Sequence, residues 1–345
     1  MNIGTIRKGP RNLITDVDGI RVGNAGNVDL RSGSTVILPD ERAIAAVDVR
    51  GGAPGTRETD ALDATCLVDA VDAIVLSGGS VYGLDAASGV TSWLGARGRG
   101  YGMGTASIVA PVVPSAILFD LTNGGDKAWG EEPPYNGFGR AAAAAAGQDF
   151  QLGNAGAGLG AKAGAVKGGL GSASAVRDDG LQVGALIAVN PYGSVLVPGA
   201  GASFWAAPYE LDNEFGGHGL PAGFGGVSAL DPFTGTKGEE AAAAGGNTTI
   251  GCIACNADLT PVEARRVAIM AQDGLARAIR PIHTPFDGDV LFVLATGKHA
   301  LGREMRPRAI LQLGAIAADC VARAVARGVY EAETLGETIA YRDKY

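Results

Sequence analysis

Cysteine and histidine are scarce in this chain. Its 345 residues hold four cysteines, Cys66, Cys252, Cys255 and Cys320, and three histidines, His218, His283 and His299. Cys252-Ile-Ala-Cys255 has CxxC spacing, but no second pair completes a zinc site. In a strand-like setting the two read as small buried hydrophobes. The histidines do not cluster in sequence, so nothing supports a Ser-His-Asp or zinc centre. There is no G-x-S-x-G elbow and no Walker loop. The dinucleotide fingerprint also fails, because Gly156 and Gly158 are followed by Ala161. No cofactor or metal is expected. A basic cluster is missing too. The net charge is −8, which argues against nucleic acid or an anionic membrane as partner. No apolar run reaches the ~20 residues of a membrane span. The opening MNIGTIRKGPRN lacks the apolar core of a signal peptide, and a cytoplasmic location is expected.

Hydrophobic residues and glycine are plentiful. The 46% hydrophobic content supports a large core, in one large domain or two. The 55 glycines exceed the usual share of roughly 7% and follow no G-X-Y period. They imply tight turns and closely packed layers. Leu13–Asp16, Ile20–Val22, Ser34–Leu38 and Ala43–Val49 read as strands of an antiparallel sheet. Arg50-Gly51-Gly52 follows as a tight turn or a substrate-facing loop. Val71–Leu76 reads as a buried strand. Ser77–Gly83 leads from it into a helix over 84–94, and its glycines either bind an anion or allow close packing. Tyr82 there lines a pocket or plugs the core. Residues 108–120 read as an irregular strand pair, residues 140–146 as a helix, and Val183–Val189 as a strand buried on both faces. Residues 199–246 read as a long loop or linker. Thr260-Pro261-Val262-Glu263 is a strong helix start. That helix carries its apolar face on Val262, Ala268, Ile269, Leu275 and Ile279, and Pro281 stops it. A strand over Val290–Ala295 and a last helix over 310–329 follow. Strands and helices alternate without a βαβ rhythm. The expected fold is layered α/β (α+β), two central sheets with helices outside, an α-β-β-α sandwich.

The most informative stretch runs from Ala244 to Asn256. An alanine- and glycine-rich approach, expected to be a flexible surface loop, precedes Thr248, Thr249 and a β-prone apolar run. The plain interpretation is a loop entering a core strand. The chemical one is a hydroxyl nucleophile that becomes a new chain terminus. Thr248 would attack the carbonyl of Asn247, and hydrolysis of the ester would free an α-amine of pKa about 7.7–8.0, a usable base at neutral pH. Other polar residues have two readings each. Lys167, among apolar and glycine residues, is a solvated turn residue or a charge aimed into a site. Asn190 is a turn former or an oxyanion donor. Asp287 and Asp289 form a turn, or hold a cation or an amine.

Several segments together resemble the P1 peptidase family (family S58). They are Gly246-Asn247-Thr248-Thr249-Ile250, Asp273–Pro281 and His283–Asp289, with Arg50-Gly51-Gly52, Gly78–Leu84 and Lys167-Gly168-Gly169. This family includes L-aminopeptidase/D-esterase enzymes, β-aminopeptidases and endo-type nylon-oligomer hydrolases. The resemblance spans nearly the whole chain and implies an α-β-β-α amide hydrolase that cuts itself between Asn247 and Thr248. Residues 1–247 would form an α chain and 248–345 a β chain, assembled as tetramers or larger. Thr248 would be the nucleophile, Lys167, Asn190, Asp287 and Asp289 its catalytic partners, and Tyr82 and Phe119 substrate contacts. A tyrosine of the nylon-oligomer branch falls on Phe119, which has no hydroxyl. Acyl transfer and an uncut, non-enzymatic assembly module are the alternatives.

Overall fold

The computed structural model describes residues 5–102, 104, 107–199, 201–226, 231, 233–240 (239 and 240 by backbone alone), 246–302 and 305–345. The flexible approach loop expected before Thr248 falls largely on residues 241–245, outside that set.

In chain order come strands β1 (Ile6–Lys8), β2 (Ile20–Asn27), β3 (Ser32–Pro39), β4 (Ala43–Val49), β5 (Thr56–Arg57), β6 (Ala70–Val71) and β7 (Ile74–Ser77), then helix α1 (Asp85–Gly95). Next are β8 (Tyr101–Gly102), β9 (Val109–Ala110), β10 (Ser115–Ile117), α2 (Tyr135–Ala144), β11 (Lys162–Ala163), β12 (Val166–Lys167), β13 (Leu170–Arg177) and β14 (Gln182–Asn190). The rest are β15 (Thr248–Ala257), α3 (Pro261–Ala278), β16 (Val290–His299), α4 (Arg306–Tyr330) and α5 (Tyr341–Lys344). A seven-stranded sheet has the order β1-β13-β14-β15-β16-β4-β6, and a five-stranded sheet the order β2-β3-β7-β10-β5.

The expected α-β-β-α layering is what forms, and the central strands explain why. Along β15, Ile250, Cys252 and Ala254 join the core between the sheets, while Ile253, Cys255 and Ala257 join the core under α3 and α4. Along β16, Val290, Phe292 and Leu294 face the other sheet, and Leu291, Val293 and Ala295 face the helices. A strand with apolar residues on both faces is stable only between two layers. A third core lies outside the five-stranded sheet, where Val36, Leu38 and Val75 meet Ala86, Val90 and Leu94 of α1 and Ala142 and Ala143 of α2. Layer spacing depends on glycine at Gly171 of β13. A methyl group there would overlap the Ala324 carbonyl of α4, so the helix lies directly on the strand. The same strand geometry settles Cys252 and Cys255. Residues three apart on a strand face opposite sides, and these two belong to different cores, so they cannot share one metal. Burial raises both thiols well above the ordinary range.

Several expectations are corrected. Ile14–Asp16 is a 3₁₀ turn rather than a strand. The Asp16 carboxylate accepts from the Arg11 N–H (3.0 Å) and the Ser174 hydroxyl (2.6 Å), which curls the backbone away from sheet pairing. β4 pairs with β16, not with its sequence neighbour β3. The Val71–Leu76 run serves both sheets, because β6 ends in one before β7 begins in the other. Asp72 at the crossing accepts from the Val112 N–H at 2.8 Å. The 140–146 helix begins earlier, at Tyr135. Two βαβ crossovers do occur, since β7 and β10 are parallel with α1 between them, and β15 and β16 are parallel and joined through α3. The 199–246 stretch is no free linker in its described part. Phe204 and Phe215 enter the helix-side core, and Glu214 pairs with buried Arg323. Helix α4 is long and apolar enough to cross a membrane by length and composition, contrary to the expectation about apolar runs. Inside the protein, however, 67% of its most apolar stretch is buried, as in a core helix.

The start of α3 forms as the sequence predicts. The Thr260 hydroxyl accepts from the Glu263 N–H (3.3 Å), and the Glu263 carboxylate accepts from the Thr260 N–H (2.8 Å). Val262, expected on the apolar face, is 66% exposed instead, because the buried stripe runs through Ala264, Val267, Ala268, Ala271 and Leu275, and a residue two positions before Ala264 points to the opposite side of the helix. Thr260→Ala should lower unfolding stability by about 1 kcal/mol, readable as a shift in urea midpoint at constant slope.

Candidate active site

The site is assembled where β14 ends and β15 begins. These strands are antiparallel, and the register pairs Asn190, the last residue of one, with Thr248, the first of the other. Beyond the end of β15, Asn247 continues as a bridge to Asp287, in the loop that precedes β16. Thr248 and Asn247 are both buried. The Thr248 hydroxyl donates to the carbonyl oxygen of Asn247. The same oxygen accepts from the Gly288 N–H at 3.0 Å.

Asp287 and Asp289 are completely buried and act as staples of this loop. Asp289 accepts from the Thr249 N–H (2.7 Å), the His283 N–H (3.0 Å) and lies 2.9 Å from His283 Nδ1. Asp287 accepts from the N–H groups of Tyr192 (2.9 Å) and Thr284 (3.0 Å) and from the Thr284 hydroxyl. Burial, and then the charge of Asp289, push the Asp287 carboxyl above its usual range, while these donors oppose the shift. The loop rests on the Arg50–Ala53 turn. The Arg50 N–H reaches the Asp289 carbonyl (3.0 Å), and the Ala53 N–H the Asp287 carbonyl (2.8 Å). A side chain at Gly51 would collide with the Asp289 nitrogen, so glycine is required for this contact. Of the two readings of that turn, these contacts support the tight turn.

Asn190 is saturated. Its Nδ2 donates to the carbonyls of Phe119 (3.0 Å) and Gly246 (3.2 Å), and its Oδ1 accepts from the Lys162 N–H (3.0 Å) and Lys237 Nζ (3.0 Å). The Phe119 ring lies against Gly246, which places it beside Asn247. Tyr82 is half exposed and sits edge-on to Trp129, 5.6 Å between ring centres. None of its described contacts reaches Thr248.

Lys167 is buried rather than a solvated turn residue. Its ammonium donates to the carbonyls of Gly158 (3.2 Å), Ala161 (2.9 Å) and Gly168 (2.7 Å). Three acceptors match the three protons of an ammonium. Burial drives its pKa down to about 7, and the nearby Asp120 carboxylate opposes the shift. Thus Lys167 has Asp120 as its counter-charge, not the Asp287/Asp289 pair expected to hold it. The lysine beside Asp287 is Lys237, lowered to about 7 by burial, with Asp287 opposing and Lys162 assisting.

Lys237 and Asp120 are the residues that sequence reasoning missed. Lys237 lay in the stretch read as linker, and nothing local pointed to it. Asp120 had a signal, a carboxylate closing the apolar run 108–120. Its Oδ1 accepts from the Gly79 N–H at 2.7 Å. The Gly79 N–H before α1 therefore holds a carboxyl group that the chain itself supplies, one that burial pushes above its usual range.

The arrangement is a buried hydroxyl on a peptide carbonyl, a backbone N–H on the same oxygen, and a fixed side-chain amide next to it. This is the equipment of acyl transfer from an amide. The model of peptidase family S58 matches residues 12–340. The chain belongs to peptidase family S58. As an S58 member it is a hydrolase of peptide or amide bonds, and the non-enzymatic assembly reading is set aside. It is 46% identical over 350 residues to an uncharacterized aminopeptidase of Mycobacterium tuberculosis (strain ATCC 25618 / H37Rv), covering 97% of this chain and 98% of that protein. It is 32% identical over 297 residues to the 6-aminohexanoate-oligomer endohydrolase of Kocuria sp. (strain KY2), covering 84% of this chain and 76% of that one. The fold is shared with the L-aminopeptidase D-Ala-esterase/amidase from Ochrobactrum anthropi, whose structure is described as a variant of the Ntn hydrolase fold. That comparison has TM-score 0.69 and 22% identity over 97% of this chain and 90% of that one. The Burkholderia sp. β-aminopeptidase superposes with TM-score 0.66 and 24% identity, covering 96% and 90%.

Proposed function

We propose that this S58 hydrolase is a self-cleaving amidase or aminopeptidase with Thr248 as nucleophile. The observation that carries the reading is the Thr248 hydroxyl lying on the carbonyl of its own preceding residue, which the Gly288 N–H also engages. Thr248 Oγ1 attacks the Asn247 carbonyl carbon, and the Gly288 N–H stabilises the oxyanion. The C–N bond breaks, the hydroxyl proton passes to the departing nitrogen, and an ester joins Asn247 to Thr248. Water hydrolyses that ester, leaving an Asn247 carboxylate and a free Thr248 amine.

The same groups serve substrate. In the uncut chain, the Asn190 amide is occupied by the Gly246 carbonyl. Withdrawal of the 246–247 end frees that donor for the oxyanion of an incoming amide, a contribution of about 2.7–4 kcal/mol. The Thr248 amine takes the proton from its own hydroxyl and returns it to the leaving amine. Lys167, whose own pKa burial lowers to about 7, disfavours protonation of that amine in the fraction of molecules where it carries its charge. Asp287 and Asp289 hold the loop that carries Gly288. Hydrolysis of the acyl-threonine by water completes the cycle. Relatives named aminopeptidases at 46% identity favour hydrolysis over acyl transfer.

Intact-mass measurement on purified protein should find two chains, residues 1–247 and 248–345, with the second beginning Thr-Thr-Ile-Gly. A single persistent 34.7 kDa species that still hydrolyses amides would refute the scheme. A panel of aminoacyl p-nitroanilides, β-peptides and 6-aminohexanoate oligomers then separates the aminopeptidase reading from the nylon-oligomer one.

A further inference from the structure

We infer that Lys237 is a positioning residue that fixes which end of the Asn190 amide faces the reacting carbonyl. The inference rests on the proposed role of Asn190 as oxyanion donor. An asparagine amide is nearly symmetrical in shape, and turning it by half a revolution exchanges a donor for an acceptor. In the proposed reaction only the NH₂ end is useful.

At Asn190 the surroundings choose. The Oδ1 side meets two donors, Lys237 Nζ at 3.0 Å and the Lys162 N–H at 3.0 Å. The Nδ2 side meets two acceptors, the Phe119 carbonyl at 3.0 Å and the Gly246 carbonyl at 3.2 Å. A reversed amide would set NH₂ against the Lys237 amino group and a backbone N–H, and oxygen against two carbonyls. One of the acceptors leaves with the 246–247 end after cleavage. The orientation then depends more heavily on the donor side, where Lys237 contributes the only side-chain donor among the described residues.

Lys237 is itself seated. Its N–H donates to the Tyr192 carbonyl at 3.0 Å, and Nζ makes a second bond to the Asn190 carbonyl at 3.2 Å. At Gly238 a side chain would overlap the Tyr192 hydroxyl, so the turn lies flat on that ring. Tyr192 is in turn tied to Asp287 through its N–H. Lys237 lies on the N-terminal side of the proposed cut, so the tail of the α chain would remain part of the working site rather than a discarded activation segment.

The test compares Lys237→Met, Lys237→Arg, Asn190→Ala and the Lys237→Met/Asn190→Ala double variant, on an aminoacyl p-nitroanilide that the parent hydrolyses. Lys237→Met should lower kcat by about 10- to 100-fold with KM within about twofold, as for misorientation of one oxyanion donor. Lys237→Arg should recover most of the loss. In the Asn190→Ala background, Lys237→Met should cost less than about twofold, because a residue acting through Asn190 has nothing left to act on. The inference fails if Lys237→Met leaves kcat within about twofold of the parent, or if its cost is the same in both backgrounds. It also fails if the loss appears in KM alone. Full activity in Asn190→Ala would remove the oxyanion role itself, a different failure that the single variants distinguish. Lys237→Leu, which also removes the Nζ donor, serves the same comparison if the methionine variant does not accumulate folded.

Discussion

Thr248→Ala should yield one uncut chain of 34.7 kDa with no measurable amide hydrolysis. The change deletes the hydroxyl that lies on the Asn247 carbonyl and, with it, both the self-cleavage and the acyl-enzyme step. Loss of a nucleophile typically lowers kcat by on the order of 10⁴-fold or more. The fold should be nearly unaffected. The hydroxyl makes its described hydrogen bond to the adjacent carbonyl, so removing it should cost only about 1 kcal/mol. Circular dichroism and urea midpoint should therefore match the parent while intact mass shows one species. Thr248→Ser, which keeps a hydroxyl, should still cut. Two fragments from the alanine variant would place the nucleophile elsewhere.

The second large effect is at Asp289. Its buried carboxylate accepts from Thr249 and His283 backbone donors and lies against the His283 ring. Asp289→Ala should leave two buried N–H groups without partners, each costing about 1–3 kcal/mol, so a stability loss of about 3 kcal/mol or more is expected. The Asp287–Asp289 loop would loosen, and Gly288 would no longer hold its N–H on the Asn247 oxygen. Self-cleavage should be slowed or lost together with stability. Asp289→Asn should fall between parent and alanine. One amide oxygen can still serve the Thr249 N–H, but the amide nitrogen then faces the His283 donor. Urea titration and a time course of intact mass on fresh protein read both effects. An alanine variant as stable as the parent would show that these buried hydrogen bonds do not hold the loop.

Lys167 and Lys237 mark the limit of what one-dimensional reading could assign. The glycine-flanked Lys167 was visible as a candidate, yet its partners are three backbone carbonyls and Asp120, not the two aspartates. Lys237 carried no local signal and arrives beside Asn190 through a turn packed on Tyr192. The strands were more legible. β14, β15 and β16 are written as apolar runs because both of their faces are covered. The misjudged segments were those where a polar side chain takes over the backbone, as Asp16 does at Ile14–Asp16, or where a single run crosses between sheets at Asp72.

By itself the sequence determined the layered class, the buried central strands, the capped start of α3, and Thr248 as a hydroxyl at the head of a core strand. These are properties of neighbours along the chain, governed by side-chain period and local hydrogen bonding. Only the tertiary structure decided that Asn190 lies opposite Thr248, that Gly288 reaches the Asn247 oxygen, and which lysine meets which carboxylate. Those meetings depend on strand register and on loops from distant parts of the chain, which are fixed only when the layers pack.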